Sequence, residues 1–213
     1  MNNNVIEILK LLNVHHPNAV CELNYNSTFE LLVAVILSAQ CTDKRVNIIT
    51  SDLFKKYNTP KDFSELTVEE LSPLIFSAGF YRNKAKNIIS CSREILYNYN
   101  GVVPEDIEEL VKLHGVGYKT ASVMKSVAFN GDAIAVDTHV YRVSKRLGLA
   151  TANTPLKVMK ELMSSFNQAE WSKLHHLLLH HGRYICKSRR PLCKECKLTK
   201  YCNYYKELEG KNE

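Results

Sequence analysis

"LVKLHGVGYKTA" (Leu110–Ala121) reads as the end of one helix, a tight turn and the start of the next. Apolar spacing runs to Leu113. Gly115 and Gly117 flank Val116, and "YKTASVMKSVAF" opens a new amphipathic stretch. Glycines two apart let the backbone take positive φ and leave amides with no side chain over them. The helix that follows adds unpaired N–H groups and the positive end of its dipole. Together these form a corner suited to a phosphate. The same spacing also serves a tight αα-hairpin needed only for packing. Val116 is expected to plug the hairpin into the core. Lys119 falls in the first turn after it. A cation is disfavoured at a helix N-terminus, and partial burial would disfavour it further. Both effects favour the neutral, nucleophilic amine. The alternative is a lysine that simply pairs with phosphate.

Outward from the hairpin, the rest of the chain also reads as helix. Apolar residues recur at helical spacing in Val5–Leu12, Phe29–Ala39, Val46–Tyr57, Ala85–Tyr97, Ile107–Leu113 and Thr120–Phe129. Ser27 with Glu30, and Thr67 with Glu70, fit capping boxes. Thr154–Pro155 fits an N-cap followed by proline at the first helical position. Gly79, Gly101, Gly131, Gly148 and Gly182 are expected to stop helices. Only Ala133–Val136 looks strand-like, and it is too short to found a sheet. The expectation is an all-α fold of roughly ten helices, without linker, repeat or low-complexity tract.

The length of 213 residues allows one large domain or two small ones around a real core. The first residues lack the basic and apolar regions of a secretory signal. The most apolar run, Phe29–Ala39, is too short to cross a bilayer and carries Glu30. A soluble intracellular protein is expected, and in a reducing compartment clustered cysteines favour metal over disulfides. Four of the seven cysteines lie in "CKSRRPLCKECKLTKYC" (Cys186–Cys202). Gly182–Lys206 carries a net charge of +7, whereas the whole chain carries +6. All the positive excess therefore surrounds these cysteines. That is the footprint expected for a polyanion partner, with a solvated charged tail as the alternative. Four thiolates could hold zinc or an iron–sulfur cluster. The Cys-x6-Cys-x2-Cys-x5-Cys spacing matches neither the usual paired zinc pattern nor the ferredoxin run, so the metal stays open here.

Asp137 lies in "AVDTHVYR" (Ala135–Arg142), where a short apolar run enters a helix. An N-cap is its simplest role. A carboxylate held at a helix start also stays ionised and can assist proton transfer or stabilise nearby positive charge. His139 either orients its neighbours or caps. The histidines of "HHLLLHH" (His175–His181) include His176 and His180, four apart on a helix. No glutamate lies between them to serve a metal-bound water. They are expected to pack rather than bind zinc.

"LHGVGYKTA", then "VDTHV" with Asp137 eighteen residues after the lysine, then the four cysteines, resemble the endonuclease III family of helix-hairpin-helix DNA glycosylases. "LLVAVILSAQCTD" (Leu31–Asp43) and "AGFYRNKAKNI" (Ala78–Ile88) share in the resemblance, which covers nearly the whole chain. It implies two all-α lobes. One is a six-helix barrel over residues 21–131. The other joins 1–20 to 132–213 and holds a [4Fe–4S] cluster on Cys186, Cys193, Cys196 and Cys202, with DNA across the cleft. It implies Lys119 as the nucleophile at C1′ and Asp137 as its helper. The hairpin of Gly115, Val116 and Gly117, with His139, would contact DNA. Lys187, Arg189 and Arg190, in the loop between the first two cysteines, would meet the phosphate backbone. Gln40 and Phe80 match the family's gap-filling glutamine and apolar wedge. A helix-end polar residue and a core aromatic are the plainer readings, and Gly79 favours an exposed turn at Phe80.

The implied activity is a bifunctional DNA glycosylase and AP lyase of base excision repair. It would act on duplex DNA with oxidised pyrimidines or abasic sites, as a cytoplasmic, nucleoid-associated protein without membrane attachment and as a monomer. There are departures from the family pattern. His114 stands where the family usually has proline, Tyr118 where many members have arginine, and Cys41 replaces a more usual alanine. An adenine-specific relative would lack Lys119 and usually carries a further C-terminal domain. A thymine-mismatch relative would also lack Lys119. A non-catalytic, redox-sensing DNA-binding module leaves Lys119 and Asp137 unexplained.

Overall fold

The computed structural model describes residues 3–129, 131 and 133–210. Among them there are twelve α-helices and no strand. Ala133–Val136 is extended but pairs with nothing as a strand. No described helix is long and apolar enough to cross a membrane. The chain divides into two compact units, Glu22–Asn130 and Met1–Cys21 with Gly131–Glu213.

The first unit is built on α2 (Thr28–Ser38), after α1 (Asn3–His15) of the other unit. Every residue from Phe29 to Leu37 is buried, Glu30 included. A helix apolar all round must lie inside a domain. Around it stand α3 (Asp43–Leu53), α4 (Pro60–Glu65), α5 (Val68–Leu74), α6 (Tyr81–Asn98), α7 (Ile107–Leu110) and α8 (Tyr118–Val127). Leu31, Leu32, Leu37, Phe63, Ile88, Ile95, Leu110 and Met124 are fully buried between them. Local chemistry sets the starts. Thr59 with Asp62 and Thr67 with Glu70 form complete capping boxes. Ser27 caps the Glu30 amide, but the Glu30 carboxylate turns to the Asn26 amide instead, so this box is half made. The helix expected over Ile107–Leu113 is a single turn, because Asp106 caps it and the chain breaks into turns after Leu110.

The second unit packs α1 and α9 (Thr138–Arg146) on α11 (Trp171–Tyr184), with α10 (Pro155–Ser165) and α12 (Asn203–Glu209) against α9. Ile8, Leu12, Val140, Val143, Leu162, Leu174, Leu178 and Leu198 form its core. Gly182 does not stop a helix as expected. It lies inside α11, where a Cβ would come within 2.8 Å of the His139 Cβ. Its missing side chain lets α9 approach. The histidines expected to pack do so. His175 bonds to the Ala135 carbonyl and His180 to the Val20 carbonyl. His16 and His181 meet ring nitrogen to ring nitrogen at 3.1 Å.

Burial pushes His16 down to about 4 and His176 down to about 3 from the ordinary 6.5. Below pH 6.5 the unfolded chain therefore binds protons that the folded chain refuses, so stability falls as pH falls. The loss begins near 6.5 and runs on toward the two folded values. Thermal melts should show a midpoint that drops between pH 7 and pH 5. A midpoint that holds steady or rises over that range contradicts the burial of neutral histidines.

Candidate active site and cysteine centre

The hairpin is built by one glycine and opened by the other. Gly115 has φ +78°, and a Cβ there would lie 2.7 Å from the Asn87 Cβ. The turn itself demands this glycine. Gly117 is different. Its φ is −86°, which any residue adopts, and a Cβ there would meet nothing within 4 Å. Positive φ was expected at both, but only Gly115 has it. Gly117 caps α8 without a side chain, and neither glycine amide has a hydrogen-bond acceptor among the described residues. Val116 is buried, and its amide is taken by the Leu113 carbonyl at 3.1 Å. Lys119 is the second residue of α8 and is exposed. The burial expected to act on it is therefore not present in the free chain. Residue 114 is held from outside the turn. The Glu94 carboxylate accepts from the His114 amide at 2.9 Å and also bonds the imidazole Nδ1. Two tertiary bonds thus restrain the position where the family pattern has a rigid ring.

Gln40 and Phe80 share an unusual backbone. Both are non-glycine residues with positive φ, 53° and 48°. Both are exposed, Phe80 to 67%. Phe80 is therefore no core aromatic. Behind them Lys84, only 5% exposed, donates to the carbonyls of Leu37, Ala39 and Ala78 at 2.8, 2.7 and 2.6 Å. Burial lowers its pKa below that of a free lysine.

In the second unit Asp137 is the N-cap of α9. Its Oδ1 accepts from the His139 and Val140 amides at 2.9 and 2.8 Å. Oδ2 has no partner among the described residues, so one oxygen caps and the other is available. His139 is half-buried, with its Nδ1 3.3 Å from Arg142 Nη2.

The four cysteines lie on a loop held by α9. Arg142 donates to the carbonyls of Cys186 and Gly182 at 3.0 and 2.8 Å. Arg146 donates to Cys186 Sγ at 3.3 Å and to the Lys187 carbonyl at 2.8 Å, and its guanidinium covers the Tyr204 ring. The Leu198 amide donates to Cys196 Sγ at 3.4 Å, and His181 Nε2 lies 3.6 Å from the same sulfur. The sulfurs feel one another. Burial first, then Cys202, Cys186 and Cys193, push Cys196 up to about 11, against the Leu198 hydrogen bond. Among the described residues no set of three or more His, Cys, Asp or Glu is gathered tightly enough to hold one metal ion. Lys187, Arg189 and Arg190 are exposed, and Arg190 has φ 51°. Cys91 is buried, and burial pushes its thiol up to about 12. Cys21 and Cys41 are only half-buried.

Sequence reading did not single out Lys84, Glu94, Arg142 or Arg146. The two arginines carried a legible signal, an i, i+4 stripe on the helix that Asp137 caps. Lys84 carried none, because a lysine on an amphipathic helix reads as solvated.

A family model described as the HhH-GPD superfamily base excision DNA repair protein matches residues 33–168. Endonuclease III of Bacillus subtilis (strain 168) is 54% identical over 87% of this chain and 85% of its own. That of Escherichia coli K12 is 42% identical over 96% of this chain and 97% of its own. A solved structure of a trapped endonuclease III–DNA covalent intermediate superposes with TM-score 0.93 at 47% identity, covering 98% of this chain and all of that one. The chain belongs to the endonuclease III family, within the HhH-GPD superfamily of base excision DNA repair proteins.

Proposed function

We propose that the chain is a bifunctional DNA glycosylase and AP lyase of base excision repair, with Lys119 as its nucleophile and oxidised pyrimidines and abasic sites in duplex DNA as its substrates. One observation carries the assignment of the site. Gly117 is bare although nothing in the protein needs that position bare, and an exposed lysine follows two residues later at a helix start. A close-fitting partner outside the chain accounts for both. The unbonded amides of Gly115 and Gly117 and the dipole of α8 suit a phosphate, with buried Val116 seating the hairpin. His139 and the exposed Lys187, Arg189 and Arg190 add contacts to the backbone. DNA is also what the solved relatives carry.

The reaction follows from the groups present. A base inside a duplex cannot be reached, so its nucleotide is extruded. Gln40 and Phe80 fill the space it leaves. The neutral Lys119 amine attacks C1′, and the C1′–N bond breaks with its electron pair leaving on the base. The amine gives up a proton, the sugar ring opens as the C1′–O4′ bond breaks and O4′ takes a proton, and the nitrogen lone pair forms the protonated C1′ imine. The imine acidifies the 2′ proton, and its removal expels the 3′ phosphate by β-elimination. Asp137, with one oxygen capping α9, uses the other to take the amine's proton and to stabilise positive charge on the sugar.

The cysteines fit a [4Fe–4S] cluster. The neighbouring thiols act on Cys196, and the Leu198 amide and the Arg146 guanidinium donate to sulfurs of the set. Cys186, Cys193, Cys196 and Cys202 would hold it, and it would supply a structural cross-link for a loop with little core of its own. We assign residues 21–131 to the barrel domain and residues 1–20 with 132–213 to the cluster domain of a monomer working in the cytoplasm at the nucleoid.

Borohydride treatment of the chain with abasic-site DNA should give a covalent protein–DNA adduct, and Lys119→Ala should give none. An adduct that persists in Lys119→Ala moves the nucleophile elsewhere. Asp137→Asn should slow base release by about 10²–10⁴-fold. The two glycines should separate. Gly117→Ala should leave stability unchanged or raise it by up to about 1 kcal/mol while weakening DNA binding. Gly115→Ala should cost the fold more than that. Equal DNA affinity in Gly117→Ala would sink the phosphate reading. Protein purified without oxygen should absorb broadly at about 400 nm, as thiolate-bound iron–sulfur clusters do, and a colourless protein with zinc in its place contradicts the cluster.

A further inference from the structure

The left-handed residues Gln40 and Phe80 follow segments that bond the same buried ammonium. Of the four non-glycine residues with positive φ among the described residues, these two are joined through one side chain. Lys84 Nζ donates to the Ala39 carbonyl, whose peptide leads directly into Gln40, at 2.7 Å. It donates to the Ala78 carbonyl, which leads through Gly79 into Phe80, at 2.6 Å. Its third bond, 2.8 Å to the Leu37 carbonyl, fixes the last turn of α2. The Lys84 backbone amide donates to the Phe80 carbonyl at 3.1 Å. An ammonium has three donors and a neutral amine two. Three carbonyls therefore call for the charged form, and they saturate it.

We infer that Lys84 is a positioning residue that locks the Gln40 and Phe80 backbones together, so that both side chains are presented ready to enter the gap left by an extruded nucleotide. The inference rests on the gap-filling reading of those two residues. Left-handed backbone at a non-glycine residue persists only where the surroundings over-determine it. The Cys41 amide closes a local turn onto the Ser38 carbonyl at 3.1 Å with Gln40 inside it, and Lys84 adds the bonds that join this turn to the one at Phe80. Residues 39–42 lie between α2 and α3, and residues 79–80 between a single 3-10 turn, Phe76–Ala78, and α6. The ammonium makes one rigid body of two loops that lie far apart in sequence. Gap filling benefits because no loop ordering then remains when DNA binds. Leu37, Ala39 and Ala78 offer only their backbone carbonyls, so the device shows in the sequence only as one lysine.

The test compares affinity for duplex DNA containing a tetrahydrofuran abasic analogue with affinity for undamaged duplex. The parent, Lys84→Met, Gln40→Ala/Phe80→Ala and the triple variant are measured, with thermal melts for folding. Lys84→Met should weaken lesion binding about tenfold and undamaged binding less than twofold. In the Gln40→Ala/Phe80→Ala background, the same change should alter lesion binding less than twofold. A tenfold loss on both duplexes, or an undiminished loss in that background, overturns the inference. If Gln40→Ala/Phe80→Ala itself binds the lesion as the parent does, the gap-filling reading fails instead. Should Lys84→Met not fold, Lys84→Arg keeps the charge but not the compact three-donor head. The same selective loss is expected of it, and a parental ratio of the two affinities overturns the inference.

Discussion

The grip of Arg146 on Cys186 fixes where the C-terminal loop begins. From Cys186 to Cys202 the chain makes only two single-turn 3-10 helices, and of its apolar side chains only Leu198 joins the core deeply. Such a loop cannot order itself by burial. Arg142 and Arg146, one helical turn apart on α9, meet its first carbonyls and its first sulfur. α9 in turn is held against α11 by the close approach that Gly182 permits. At its other end the same nine-residue helix begins with Asp137. The carboxylate and the cysteine loop are thereby set in register by one short rigid rod, and a disturbance at either end is felt at the other.

Much of this was legible in the residues. The 3.6-residue spacing located α1, α2, α3, α6 and α8. Thr67 and Glu70 marked a helix start, and the "LHGVGYKTA" pattern placed Lys119 at the head of α8. What escaped is tertiary. Gly182 reads as a stop because glycine so often is one, yet its place was decided by His139, more than forty residues away in the chain. The Ser27 box failed by half because a second amide, that of Asn26, competed for the Glu30 carboxylate. Lys84 was unreadable for the same reason: three backbone carbonyls decide its burial, and carbonyls have no letter in a sequence.

Local strain is distributed to match. Among the described residues, three of the four non-glycine residues in left-handed backbone, the exposed Gln40, Phe80 and Arg190, belong to loops assigned to DNA, and the fourth, Asn100, lies just past the end of α6. A left-handed site turns the chain sharply and aims a side chain where an extended or helical residue would not. Such positions cost about 1–3 kcal/mol each and are tolerated where the scaffold is firm. Here that firmness comes from a nearly fully buried α2, from the Lys84 ammonium and from the arginines of α9.

The bond between Glu94 and His114 carries a consequence for heredity. A proline stiffens a turn by itself, through its own ring. Here stiffness is shared between two positions twenty residues apart, because Glu94 holds both the amide and the imidazole of His114. Loss of Glu94 leaves the imidazole and the amide of residue 114 without an anchor, and a proline at 114 would take both donors from the half-sheltered carboxylate. The two positions therefore form one heritable unit, and a graft of this hairpin onto another scaffold must carry its glutamate along.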